Sequence, residues 1–266
     1  MDAISRRKVR KTQSGVWSEL EDDLVTEAPL EIRMGGTPLA VLMRTPGDDE
    51  DLIRGFVLTE GIVLSPNEVG SVAPAPQAPD DNRWELSPAD GVEIDPAQFQ
   101  RNMYTTSSCG VCGKASIDAV RVAALKPPSG PQVAVELLLA LPQQLRDVQK
   151  AFEATGGLHG AALFDDQGKL LAVREDVGRH NAVDKVIGAL SQQAWPLGEL
   201  ILMVSGRISF EIAQKAAVAG VPIVCGVSAA SSLAAELGEE LGLTVVGFLR
   251  DDGFNLYTDA GRVGTV

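Results

Sequence analysis

Sulfur and imidazole are scarce in this chain: its 266 residues include three cysteines and two histidines. Three cysteines without an apolar segment behind the basic N-terminal residues indicate a reducing, cytoplasmic setting, not a disulfide-stapled secreted fold. Positive charge is also short. Lys and Arg number 23 against 36 Asp and Glu, a formal net charge of −13, which argues against broad binding to nucleic acid or to an anionic membrane. No apolar run is long enough to span a bilayer. Walker-type and Gly-x-Gly-x-x-Gly loops are missing too, so neither ordinary ATP chemistry nor dinucleotide binding is indicated. No internal repeat is visible. What remains, 45% hydrophobic and 22% charged, is ordinary for a soluble globular chain long enough for one large domain or two modest ones.

Two of the three cysteines, Cys109 and Cys112, stand in a Cys-x-x-Cys spacing within residues 107–114, each followed by a glycine. A helical pattern with Ile117 and Val120 on one side comes directly after. A thiolate is the reactive form of cysteine, and the partial positive charge of a helix N-terminus favours it. Gly110 and Gly113 allow positive φ and remove bulk, and Lys114 adds a cation. This is the pattern of a reactive sulfur loop, suited to redox or sulfur-transfer chemistry. Two other readings stay open here. Cys-x-x-Cys is a common zinc half-site, whose remaining ligands would have to come from His159, His180 and Cys225. It is also compatible with a plain turn holding two small residues.

Along the chain, residues 1–15 read as a disordered basic tail carrying Arg6, Arg7, Lys8, Arg10 and Lys11. Residues 16–104 read as a small β-rich module with one helix. Leu30–Met34 alternates, Gly35 and Gly36 turn the chain, and Pro38–Met43 returns as a hairpin. Asp48, Asp49, Glu50 and Asp51 open a helix at its positive end, Leu52, Ile53, Phe56 and Val57 give it an apolar face, and Gly61 ends it. Residues 105–266 alternate strands with helices, which predicts a largely parallel sheet covered on both faces. The fold class is therefore α/β: a small β-rich N-terminal module plus an α/β/α sandwich. In the sandwich, Glu175–Lys185 is the densest polar cluster, either a ligand-facing loop or a solvated helix start with Asn181 as cap. His159 reads as a core histidine and Cys225 as a small buried residue.

Ligands of such sheets sit beyond the carboxyl ends of the strands. Those ends carry Ser205 and Arg207, then Ser228, then Leu249, Arg250, Asp251, Asp252 and Gly253. Hydroxyls, helix N-termini and arginine suit phosphate oxygens, so the predicted ligand is anionic and nucleotide-like.

Several stretches together resemble the FdhD family of formate dehydrogenase accessory sulfurtransferases. They are Glu27–Leu30, Gly55–Ile62, Cys109–Gly113, Thr155–His159, the long run Glu175–Lys185, Ser205–Arg207, Lys215 and Gly247–Arg250. The resemblance spans about Val25 to Tyr257. It implies a protein that takes persulfide sulfur from a cysteine desulfurase on Cys109, with Cys112 as helper. The sulfur passes to molybdenum or tungsten in a bis(molybdopterin guanine dinucleotide) cofactor, which activates formate dehydrogenase. It further implies a cofactor-contacting segment at Phe248–Gly253, a cytidine deaminase-like fold for the α/β domain, and a homodimer. With the strand ends, the expected cofactor contacts are Phe248, Leu249, Arg250, Asp251, Asp252, Gly253, Ser205, Arg207, His180, Lys215 and Ser228. GDP or a similar guanine nucleotide would mimic part of that cofactor, and no resident metal is expected. At residues 228–232 the chain has Ser-Ala-Ala-Ser-Ser where the family pattern has Ser-Ala-Pro-Thr-Ser. The alternatives are a non-catalytic cofactor-delivery chaperone and a zinc-dependent deaminase. The latter lacks its acid/base glutamate, because Gly160 and Ala161 follow His159.

Overall fold

The computed structural model describes residues 2–76, 80–96, 99 and 130–264. Cys109, Cys112 and the helix expected after them lie outside the described residues.

The N-terminal residues depart from expectation. Strand β1 (Ile4–Gln13) pairs antiparallel with β2 (Val16–Val25) along its whole length. Ser14 and Gly15, both at positive φ, form the two-residue turn between them. Arg6, Arg7, Lys8 and Arg10 stand opposite Asp23, Asp22, Glu21 and Glu19. The basic run is thus half of a cross-strand charge ladder, not a disordered tail, and the acidic residues that complete it follow immediately in sequence.

Strands β3 (Ala28–Met34), β4 (Thr37–Arg44), β5 (Val69–Pro74) and β6 (Arg83–Pro88) make a four-stranded sheet in the order β4-β3-β6-β5. Leu30, Ile32 and Met34 alternate inward and meet Leu52, Ile53, Phe56 and Val57 of α1 (Asp49–Thr59) in one core. Gly61, at φ 70°, turns the chain just beyond α1.

The second sheet has six strands: β7 (His159–Phe164), β8 (Leu170–Asp176), β9 (Ile201–Val204), β10 (Ile223–Gly226), β11 (Thr244–Arg250) and β12 (Gly253–Thr258). Their order is β12-β11-β10-β9-β7-β8. Only β9, β10 and β11 run parallel; β7 is antiparallel to β9, β8 to β7 and β12 to β11. The sheet is mixed because hairpins close both of its flanks, and β12 was not visible in the sequence pattern. Alternate side chains point to opposite faces. Leu163, Leu202, Val224 and Val245 pack with α4 (Arg179–Ser191), α5 (Phe210–Ala219) and α6 (Ser232–Leu241). Phe164, Met203, Cys225 and Val246 pack with Leu138, Leu141 and Leu145 of α2 (Val135–Val148). A short α3 (Lys150–Thr155) follows α2.

The two parts meet where α1 crosses α4. A methyl group on Gly55 would overlap the Asp184 carbonyl, and one on Gly188 would overlap that of Asp51. Glycine at both points lets the helix backbones touch. Among the described residues, no helix is long and apolar enough to cross a membrane.

Candidate functional site

The parallel strands β9–β11 end at one edge of the sheet, and the antiparallel β7 brings its first residue, His159, to the same edge. A cavity of about 580 Å³ opens there. One wall comes from the sheet: His159, Ser205, Val227, Leu249, Arg250 and Asp251. The other comes from α2, α3 and the turn after them, with Arg146, Gln149, Phe152, Gly156 and Gly157. A volume of this size suits a nucleotide-sized ligand.

Four of the residues expected from strand ends therefore share one cavity: Ser205, Leu249, Arg250 and Asp251. The Ser205 Oγ accepts from the Gly160 amide at 2.8 Å, and its own amide donates to the Gly160 carbonyl at 2.9 Å. The hydroxyl proton is thereby left to donate elsewhere. Asp251 and Asp252 form the turn of the β11–β12 hairpin, with Arg250 opposite Gly253. Phe248 is 40% exposed and sits at φ 51° in a bulge of β11, its amide donating to the Ser228 carbonyl at 3.0 Å. Left-handed backbone at a bulky residue is uncommon, and such strained positions cluster at functional sites. Phe248 and Ser228 thus flank the edge, and Arg207 is exposed on the loop before α5. None of the three lines the cavity.

His180 and Lys215 lie elsewhere. His180 is buried between α4 and α5, with Nε2 3.4 Å from Ser209 Oγ and 3.8 Å from Glu211 Oε2. Burial alone would raise the Glu211 pKa, but the nearby His180 ring, the Ser209 hydroxyl and its own backbone amide bring it down to about 2. Lys215 is corrected more sharply: it is buried, and its Nζ lies 2.9 Å from each of Asp184 Oδ2, Glu60 Oε1 and Thr59 Oγ1. It ties α5 to α4 and to the end of α1, and it does not line the cavity.

None of the polar run 175–185 lines the cavity, and the run is too buried to be a solvated helix start. Asp176 and Lys185 are fully buried, 2.9 Å apart. Asp176 also accepts from the amides of Thr45 and Gly178, and Lys185 donates to the Thr45 carbonyl at 2.8 Å. Asn181 is not a helix cap, because α4 starts at Arg179; its Nδ2 reaches the Met43 carbonyl at 2.7 Å and Asp176. Glu175 accepts from the amides of Ala151 and Phe152, fixing the start of α3. The run joins the β-rich module to the six-stranded sheet.

His159 is a half-buried wall of the cavity, not a core residue. Burial first, then the nearby Arg179 and His180, lowers its pKa, so the ring is neutral at pH 7. Arg146 and Gln149 were not among the residues expected at the site: Arg146 stands in the last turn of α2 and Gln149 is the residue that follows it, and both reach the cavity because α2 covers that face of the sheet. Cys225 is buried in β10, and burial pushes its thiol pKa up, so it is inert. Among the described residues no group of three or more His, Cys, Asp and Glu could hold a metal ion.

A mixed α/β protein with an arginine-bearing cavity beyond its parallel strand ends has the architecture in which such folds place their ligand sites. The model of the FdhD/NarQ family matches residues 25–264, and the chain belongs to that family. It is 51% identical to the sulfur carrier protein FdhD of Mycolicibacterium paratuberculosis, covering 99% of this chain and 100% of that one. The protein of the same name from Sulfolobus acidocaldarius is 41% identical, with 98% of each chain covered. In fold, the chain is similar to a crystal structure from Desulfotalea psychrophila described as a formate dehydrogenase accessory protein. The TM-score is 0.78 at 22% identity, over 98% of this chain and 100% of that one.

Proposed function

We propose that this protein is a sulfurtransferase in formate dehydrogenase maturation. Cys109 thiolate attacks the outer sulfur of a cysteine desulfurase persulfide; the donor's S–S bond breaks, its thiolate leaves, and Cys109 carries the sulfur as a persulfide. The acceptor is cargo: a molybdenum- or tungsten-bis(molybdopterin guanine dinucleotide), with a guanine nucleotide half in the cavity beyond β9–β11. Attack by Cys112 on the Cys109 persulfide would release sulfide and leave a Cys109–Cys112 disulfide, the dithiol being oxidised as the sulfur is reduced. A cytoplasmic homodimer with a cytidine deaminase-like α/β domain is part of the same reading.

Family membership supports the reading, as do the names of the relatives. The single observation that carries the cofactor half is the convergence of Ser205, Leu249, Arg250 and Asp251 on one cavity. The test is intact-mass analysis after incubation with a cysteine desulfurase and cysteine, alongside Cys109→Ala and Cys112→Ala. The expected result is a gain of one reducible sulfur, lost in Cys109→Ala and retained in Cys112→Ala, with GDP binding unaffected by either change. No gain with any competent donor overturns the relay and leaves the chain as a cofactor-delivery chaperone.

A further inference from the structure

The cavity changes chemistry with depth. Arg146, Arg250 and Asp251 are exposed at its mouth. Further in, the polar groups are uncharged: Ser205, His159 and Gln149. Gln149 is the most deeply set of the three, 5% exposed. It is the junction residue between α2 and α3, where ψ of 72° breaks the helix and its carbonyl accepts from the Glu153 amide at 3.0 Å. Among the described residues its Nε2 has no hydrogen-bond partner. The amide lies against Gly160, where a methyl group would come within 2.5 Å of Nε2, so glycine there leaves room for it.

A buried primary amide left unsatisfied costs about 1–3 kcal/mol, and native proteins hold few such groups. This one belongs to a residue that lines a cavity of nucleotide size, and it packs against Gly160, whose amide is held by a hydroxyl with its own proton free to donate. An amide presents a donor and an acceptor side by side, the match for the paired donor and acceptor of a purine edge. Guanidinium groups match phosphate instead.

We infer that Gln149 binds the uncharged heterocycle of the nucleotide half, which enters base first, leaving its phosphates at the mouth with Arg146 and Arg250. The inference rests on the proposed nucleotide-bearing ligand and fixes its orientation.

Calorimetric titration with GDP and with guanosine tests it. Gln149→Met keeps length and volume while removing both polar atoms. Gln149→Glu keeps the shape and removes the donors, and thermal unfolding of each free variant checks the fold. The expectation is that both variants bind GDP and guanosine about tenfold more weakly, as loss of one buried hydrogen bond implies. Arg250→Ala should weaken GDP by a similar factor and leave guanosine unchanged. Parental GDP affinity in folded Gln149→Met overturns the inference. So does a loss confined to GDP, which would put Gln149 on phosphate. If the parent protein binds neither compound, the nucleotide reading itself falls and this orientation with it, a result distinct from either of the others.

Discussion

The Lys215 Nζ lies 2.9 Å from Asp184 Oδ2, joining α5 to α4, and the same ammonium reaches Glu60 and Thr59 just at the end of α1. Thr59 Oγ1 in turn donates to Asp184 Oδ1 at 2.7 Å. Burial alone would lower the Lys215 pKa; the Asp184 and Glu60 carboxylates outweigh it and the net shift is upward. Removing one member of a buried pair leaves an uncompensated charge, at a cost of about 3–5 kcal/mol. Lys215→Met is expected to lose that much in urea unfolding. Adding Asp184→Leu should recover part of the loss, because the more deeply buried of the two stranded carboxylates is then gone and only Glu60, 17% exposed, still lacks the ammonium it met in the parent. A single-variant loss below about 1 kcal/mol would mean that the group behaves as a surface pair.

Gly55 and Gly188 predict a second sensitivity. Each would put a methyl group onto backbone of the facing helix, Asp184 for the first and Asp51 for the second. Backbone cannot step aside as the end of a side chain can. Alanine normally favours a helix over glycine by about 1 kcal/mol, so propensity alone predicts stabilisation. Overpacking costs about 1–3 kcal/mol or more, and here the overlap is with backbone at both sites. Gly55→Ala and Gly188→Ala should each lower the unfolding midpoint, and the pair should be less than additive, since the first already separates the helices.

Asp176 holds Thr45 and Gly178 amides, Asn181 and Lys185 with its two oxygens. Asp176→Asn keeps the shape but turns an amide nitrogen toward one set of donors and leaves Lys185 buried without a countercharge. The expected loss is about 3–5 kcal/mol. Hydrogen exchange gives the sharper check: the Thr45 and Val177 amides, which lie at the join between the two parts, should lose protection before the β9–β11 core does.

The fold was largely legible where one period held. Leu30–Met34 alternated, α1 announced itself by its acidic start and apolar face, and β9, β10 and β11 were continuous apolar runs. The ribbon of β1 and β2 was missed because neither strand is buried on a face; its order comes from Arg6 meeting Asp23 across the turn, a long-range pairing that composition hides. The cavity was half legible. Strand ends pointed to Ser205 and Arg250, but Arg146 on α2 and Gln149 at the α2–α3 junction reach the site only because α2 covers that face of the sheet. Lys215 was marked as special by the family motif alone, and the run at 175–185 by that motif and its density of polar residues. A motif does not separate groups that touch a ligand from groups that hold helices together; burial of Asp176, Lys185 and Lys215 does.

Glu211 gives a pH dependence with a definite sign. Its ordinary pKa of 4.5 falls to about 2 in the folded protein, held down by the nearby His180 ring, Ser209 and its own amide against the opposing effect of burial. A lowered folded-state pKa means that folding favours the carboxylate. The contribution is therefore fully present above pH 4.5, declines as pH falls from there toward 2, and is absent below. Glu211→Gln removes the titrating group while keeping its size. The difference in unfolding free energy between parent and variant should be constant above pH 4.5 and shrink steadily toward pH 2. Urea unfolding across that interval measures it. A difference that stayed flat down to pH 2 would mean that the Glu211 hydrogen bonds serve the neutral acid as well as the carboxylate, and that its charge plays no part in seating α5 against His180.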